Sequence, residues 1–283
     1  MEILVTSDLH YGQSARGDVS VRALADAVRS SPADVLVLAG DLAEGEVALS
    51  SCLALFSDFP GAKLAVPGNH DVWLRAHRAR DSWHLHEEVL PTLFAAHGFH
   101  PLHLEPFRHG DVAIVGSMGW YDYSFRDDLG IDLAWYRAKT LPPMTMPLWN
   151  DARHARFAED DEALTATLAT RLARQLASVE GARDVVSIVH HVTTKELLVH
   201  PRELVPKLWR FANAFLGAER FSEILARDPR VKLAISGHIH RDKTITRGGC
   251  TFTTLGASPD AKVLLRVRPD GAIARAAIAG RAA

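Results

Sequence analysis

Three short apolar runs lie within the first 66 residues, and each breaks off at a polar side chain that no buried strand would carry. "EILVTS" runs into Asp8, "ADVLVLAG" into Asp41, and "KLAV" into Gly68 and Asn69. After the first run, Val21, Leu24, Ala25 and Val28 share one face of a predicted helix that stops before Pro32. A second helical stretch is predicted around Val47 to Phe56. Near-continuous apolar strands alternating with helices imply βαβ units and a parallel sheet buried on both faces. Such a sheet collects functional side chains at the carboxyl ends of its strands.

The same logic returns later in the chain. "DVVSIV" runs into His190 and His191, and "VKLAIS" runs into Gly237, His238 and His240. Between these halves, residues 72–97 read as helical and 101–115 as short strands, the clearest being "DVAIVG". Residues 157–178 read as a helix, with Phe157, Leu164, Leu168, Leu172 and Leu176 at helical spacing. Short strands near 243–246, 250–254, 262–267 and 272–278 read as an antiparallel closing set. The segment from 117 to about 156 differs. It gathers Trp120, Tyr121, Tyr123, Phe125, Trp135, Tyr136 and Trp149 among Pro142, Pro143 and Pro147. It reads as a long irregular excursion rather than a core element. With no repeat or linker, the 283 residues are read as one domain, 1–283, carrying that excursion.

Charge and composition remove several classes. A formal charge of -2 gives no electrostatic case for a polynucleotide or a membrane surface. No apolar run approaches the roughly 18 residues of a membrane span. The start, "MEILVTSDLHYG", lacks the basic and long apolar regions of a signal peptide. Cys52 and Cys250 stand alone and read as buried thiols in a reducing cytoplasm. Of fifteen histidines, His77, His84, His86, His97, His100, His103, His109 and His154 share no spacing and read as surface residues.

What remains is five polar clusters in order: Asp8-x-His10, Asp41, Asn69-His70, His190-His191 and His238-x-His240. Taken singly, each has a plain reading. A strand-end Asp caps helices, and Gly-Asn makes turns. Five such clusters, each following an apolar strand, are too regular for turns alone. An intervening residue lets an extended chain point both ligands the same way. Carboxylate oxygens and imidazole nitrogens together suit divalent transition metals. Asp8, His10, Asp41, Asn69, His190, His238 and His240 are too many for one catalytic metal, but suit two metals sharing a carboxylate.

This order of motifs, D-x-H, GD, GNH[DE], H and GHxH, resembles the calcineurin-like metallophosphoesterases. The resemblance spans Asp8 to His240. It implies an α/β fold, a four-layer α/β/β/α sandwich of two mixed β-sheets flanked by helices. It implies that Asp8, His10 and His240 hold one metal, that Asn69, His190 and His238 hold the other, and that Asp41 bridges them. His70 would stand off the metals as general acid toward the leaving group. Asp71 would orient His70 by a hydrogen bond or cap the following helix. The fourth motif departs from the H-x-P-P of many relatives, reading "HHVTT". His190, first after the strand, is the favoured ligand, and His191 is left to support the site or touch substrate. Trp120, Tyr121 and Tyr123 would line the mouth and stack a base or sugar, or else bury against the sheet edge.

The expected reaction is hydrolysis of a small phosphomonoester or phosphodiester by in-line attack of a hydroxide shared between two divalent ions. Mn²⁺ is the first choice of ion, and Fe, Zn, Ni or Co are alternatives. A nuclease is the rival within enzymes. A protein-binding scaffold on the same fold is the rival outside them, and it would be expected to have lost ligands.

Overall fold

The computed structural model describes residues 1–75, 77–198 and 206–280; Ala76, inside the stretch expected to be helical, lies outside the described residues. The first sheet contains β1 (Ile3–Thr6), β2 (Val35–Ala39), β3 (Ala62–Val66), β4 (Phe99–Pro101), β11 (Ala261–Val267) and β12 (Ile273–Ala279), in the order β12-β11-β1-β2-β3-β4. β1 to β4 run parallel, and β11 and β12 are antiparallel. The second sheet contains β5 (Phe107–His109), β6 (Val112–Ser117), β7 (Asp184–Val189), β8 (Val231–Ser236), β9 (Lys243–Arg247) and β10 (Cys250–Thr254), in the order β5-β6-β7-β8-β10-β9. Its middle four strands are parallel, and its edges, β5 and β9, are antiparallel.

Strand alternation sorts the apolar residues into two cores. Ile3, Val5, Val35, Val37, Leu64 and Val66 face Ile114, Val186, Ile188, Leu233 and Ile235 across the sheet–sheet interface. The alternate residues, such as Leu4, Leu36, Leu38 and Ala65, join the helix residues Val21, Leu24, Leu49 and Leu53. On the other side Ala113, Val115 and Val185 join Leu164, Leu168 and Leu172. Both faces of each central strand are therefore dry, which is why these strands read as unbroken apolar runs. The layers run helix, sheet, sheet, helix.

Several local expectations are corrected. Residues 73–75 and 77–81 are not helical. Their backbone is tied sideways to the excursion by Leu74 N–H to His154 O and Ser82 N–H to Arg156 O, both 2.9 Å. Helix begins only at Ser82, where the Asp81 side chain caps it by accepting from His84 N–H. The helix expected over 157–178 spans Asp161–Ser178, because Asp160 is its cap; Phe157 lies before it and packs edge-on to Trp83 and Trp120. The C-terminal strands do not form one antiparallel set. β9 and β10 complete the second sheet, β10 running parallel to β8, while β11 and β12 complete the first.

The excursion is not an outlying element. Trp120, Tyr121, Tyr123, Phe125 and Tyr136 are buried in the main core. His86 and His103 are buried too, not on the surface; the His103 ring meets His86 edge-on at 4.6 Å and its Nε2–H donates to the His86 carbonyl. Cys52 and Cys250 are buried free thiols. Among the described residues, no helix is long and apolar enough to cross a membrane.

Candidate metal centre

The carboxyl ends of β1, β2 and β3 from one sheet meet those of β7 and β8 from the other. Loop backbones fasten the edge: Asp8 N–H donates to Gly40 O, His10 N–H to Asp41 O, and Gly237 N–H to His190 O, at 2.9 to 3.0 Å. The expectation that Asp8-x-His10 and His238-x-His240 act as extended pairs is corrected. Asp8, His10, Asp41, His238 and His240 all have left-handed backbone, with φ between 47° and 71°. Such a conformation costs a non-glycine residue on the order of 1–3 kcal/mol. Here it turns each side chain inward just past its strand.

Three groups of side chains converge, with ligand atoms within 4.8 Å of one another in each: Asp8, His10 and His240; Asp41, His190 and His238; and His10, Asp41 and His70. Asp41 belongs to two of them. Its Oδ2 is 3.3 Å from His190 Nε2, 3.8 Å from His10 Nε2 and 4.0 Å from His70 Nε2. Asp8 Oδ1 is 3.3 Å from His240 Nε2, and the Asp8 carboxylate accepts from His238 N–H. His10 Nε2 and His240 Nε2 are 3.2 Å apart.

Burial without a partner tests whether a cation fits. Asn69 Oδ1, His190 Nε2 and His238 Nε2 are buried with no hydrogen-bond partner. Such acceptors cost about 1–3 kcal/mol each when left unmatched. Each is the atom a metal would take. The His190 ring is held by its Nδ1–H donating to Ala39 O at 2.9 Å, which leaves Nε2 as the lone-pair nitrogen. The Asn69 amide is held by Nδ2–H donating to Asp151 Oδ1, which leaves its oxygen facing the centre. These donors fit two divalent ions.

The electrostatics agree. Burial would raise the Asp8 and Asp41 carboxyls, but His240 beside Asp8 and His190 beside Asp41 hold both well below the usual carboxylate range. Burial pushes the imidazoles of His10 and His238 down to about 4 and about 3, so both present free lone pairs. Burial works against a charge on His190 as well, but Asp41 outweighs it and lifts that ring to about 9. The field that draws a proton to His190 would equally draw a cation.

Backbone proximity explains the glycines of two motifs. A Cβ on Gly68 would sit against Asp41 and 2.7 Å from His190 Nε2. Gly40, at φ 91°, would carry one into the His190 ring.

His70 sits beside the ligands. Its N–H donates to Asp41 Oδ1, its Nδ1–H donates to Glu44 Oε1 at 3.2 Å, and its ring lies 3.7 Å from that of Trp73. Burial would lower its pKa, but Asp41 and Glu44 raise it above the ordinary value. Asp71 does neither of the two jobs expected of it. Its Oδ1 accepts from Leu42 and Ala43 N–H and its Oδ2 from Gly68 N–H, so it fastens the loop after β2 to the loop after β3. Both of its oxygens are taken up by backbone, and His70 turns to Glu44 instead. His191 donates from Nδ1 to Met118 O and belongs to none of the converging groups.

Trp120, Tyr121 and Tyr123 do not present a face at the mouth. They are about 1 % exposed or less, and Trp120 and Tyr123 both donate to Asp161. The wall is built instead by Trp73, Leu148, Trp149 and Asn150, which line a cleft of about 270 Å³ with Asp41, Asn69, His70, His238 and His240. Behind it, buried Asp151 accepts from Asn69 Nδ2–H, Trp73 Nε1–H and Trp149 Nε1–H. Glu44 and Asp151 are the site residues that sequence reasoning missed. Glu44 carried a faint signal, an acid three positions after Asp41; Asp151 lies 82 residues from Asn69 and carried none.

A family model described as calcineurin-like phosphoesterase matches residues 1–242. No curated protein matches the chain. Among solved structures, the chain is similar to a phosphopantetheinyl hydrolase from Mycobacterium tuberculosis, with TM-score 0.68 and 20% identity over 90% of this chain and 89% of that one. It is also similar to a protein from Thermus thermophilus, with TM-score 0.60 and 10% identity over 98% of each chain. A dimetal phosphatase from Danio rerio follows, with TM-score 0.56 and 14% identity over 99% of each. These likenesses carry the fold, and the family match extends from the first strand past His240. The chain belongs to the calcineurin-like phosphoesterase family.

Proposed function

We propose that this metal-dependent phosphoester hydrolase works through two ions shared across the sheet edge. Asp8, His10, Asp41 and His240 hold one, and Asp41, Asn69, His190 and His238 hold the other. The observation that carries this reading is the set of buried, unpartnered acceptors on Asn69, His190 and His238. When bound, two such ions lower the pKa of a water and bind phosphoryl oxygens as Lewis acids. Mn²⁺ is the first choice for a set of carboxylate, amide and imidazole donors.

The chain's own residues do the rest. Asn69 contributes a neutral oxygen, which limits negative charge facing an anionic ester. His70 keeps a proton on Nε2 while Nδ1–H is held by Glu44. That Nε2 proton passes to the leaving oxygen, a contribution of about 10²–10⁴-fold. Trp73, its ring 3.7 Å from that of His70 and tilted by 32°, covers one face of that imidazole.

The test is turnover of chromogenic phosphoesters by Mn²⁺-loaded protein, with a phosphopantetheine ester in the panel. Asp41→Asn and Asn69→Ala are expected to lose activity, and His70→Ala to keep both metals while losing most turnover. Full activity in the Asp41 or Asn69 variant would overturn the assignment. Loss of metal in the His70 variant would make that residue a ligand.

A further inference from the structure

The metal centre borders two clefts, not one. The first is the tryptophan-walled cleft. The second, also about 270 Å³, is lined by Leu9, Ser14, Ala257, Ser258, Pro259 and Lys262, together with His10, His70 and His240. The two clefts share only His70 and His240. The first opens onto Asp41, Asn69 and His238, and the second onto His10, with His240 between them.

We propose that the substrate is a phosphodiester, with one organic arm in each cleft and the phosphoryl group between them. This rests on the phosphoesterase reading above and narrows its substrate class. Charge supports it independently. A phosphomonoester near neutral pH carries close to two negative charges over three terminal oxygens. Two ions taking one oxygen each would leave the third to be met by the protein. Among the described residues lining the two clefts, Lys262 is the sole Lys or Arg, and the Nε2 proton of His70 is committed to the leaving oxygen. Its buried Nζ already donates to the Asp8 carbonyl at 2.7 Å. Arg75 is paired with Glu44 at 3.6 Å and lines neither cleft. A diester has two terminal oxygens and one charge, and asks for no third donor. In the reaction water adds its oxygen to phosphorus and the P–O bond to one arm breaks. That arm leaves as its alcohol with the His70 proton, one proton of the water restores His70, the other stays on the product, and the second arm remains as a monoester.

Bis(p-nitrophenyl) phosphate and p-nitrophenyl phosphate share a leaving group and separate the two classes. With Mn²⁺-loaded protein, kcat/KM for the diester is expected to exceed that for the monoester at least tenfold. Ala257→Phe and Pro259→Trp, which add bulk to the lining of the second cleft, are expected to cut that ratio at least fivefold with Mn²⁺ stoichiometry unchanged. Monoester turnover equal to or above the diester's would overturn the proposal. So would a proportional loss of both substrates in both filled variants. Protein that holds two Mn²⁺ and turns over neither ester would instead remove the phosphoesterase reading beneath it.

Discussion

The Asn69 amide is fastened at its nitrogen and open at its oxygen, and the fastening is Asp151. Removing the partner that orients a ligand commonly costs about 10–100-fold in metal affinity. Asp151→Ala is therefore expected to weaken one of two Mn²⁺ binding events in a calorimetric titration and spare the other. Equal affinities at both would show that Asp151 serves packing alone. Asp151→Asn keeps one acceptor oxygen and should fall between. Glu44 acts on His70 in the same indirect way. Glu44→Gln is expected to lower kcat about tenfold, a share of the general-acid contribution, with metal content unchanged by elemental analysis. The convergence of the seven proposed ligands was legible because each follows a strand, and strand register brings strand ends together. Asp71 was misjudged because adjacency to His70 in sequence says nothing about direction; its carboxylate reaches backward to Gly68 and across to Leu42. Asp151 was invisible because only folding sets it beside Asn69.

At the scale of elements, the central strands declared themselves through unbroken apolar runs, since they are buried on both sides. The stretch after Val72 misled because its polar and apolar spacing looks helical, while its backbone is committed to the excursion. The excursion misled for the opposite reason. Its prolines signal irregular chain, but irregular chain can still bury rings, and here Tyr136 stacks on Phe211 and Trp149 on Phe215. The buried His86–His103 contact has a measurable consequence. Burial pushes His86 well below its ordinary value and His103 down to about 4. An unfolded His titrates near 6.5, by the approximate model-peptide value. Between those values the unfolded chain binds more protons, so this contribution is present above about pH 6.5 and is lost as pH falls toward about 4. Thermal melts at about pH 5 and about pH 7.5, on either side of that reference value, should differ less in His103→Leu than in the unaltered protein. An equal difference would place the acid sensitivity elsewhere.

For the whole molecule, the centre is a store of mismatched burial until cations arrive: two carboxylates and three orphaned acceptors share one sheet edge. A ligand held at about 100 times its Kd adds about 2.7 kcal/mol to folding stability. With about 2–4 °C of Tm per kcal/mol for a chain somewhat smaller than this one, chelation is expected to lower the melting temperature by about 5–10 °C, and Mn²⁺ to restore it. A melting curve indifferent to chelator would argue against tight occupancy.

The ligands divide along the sandwich. Asp8, His10, Asp41 and Asn69 follow strands of the first sheet, and His190, His238 and His240 follow strands of the second. Neither proposed ion finds a full set of donors on one sheet. Among the proposed ligands, a chain that has built only β1 to β4 holds two carboxylates, one imidazole and one amide, and lacks the three imidazoles that follow strands of the second sheet. The proposed centre is complete only once His240 has been added and the sheets have closed. A cation held by this proposed set would be the molecule's own receipt for completed folding.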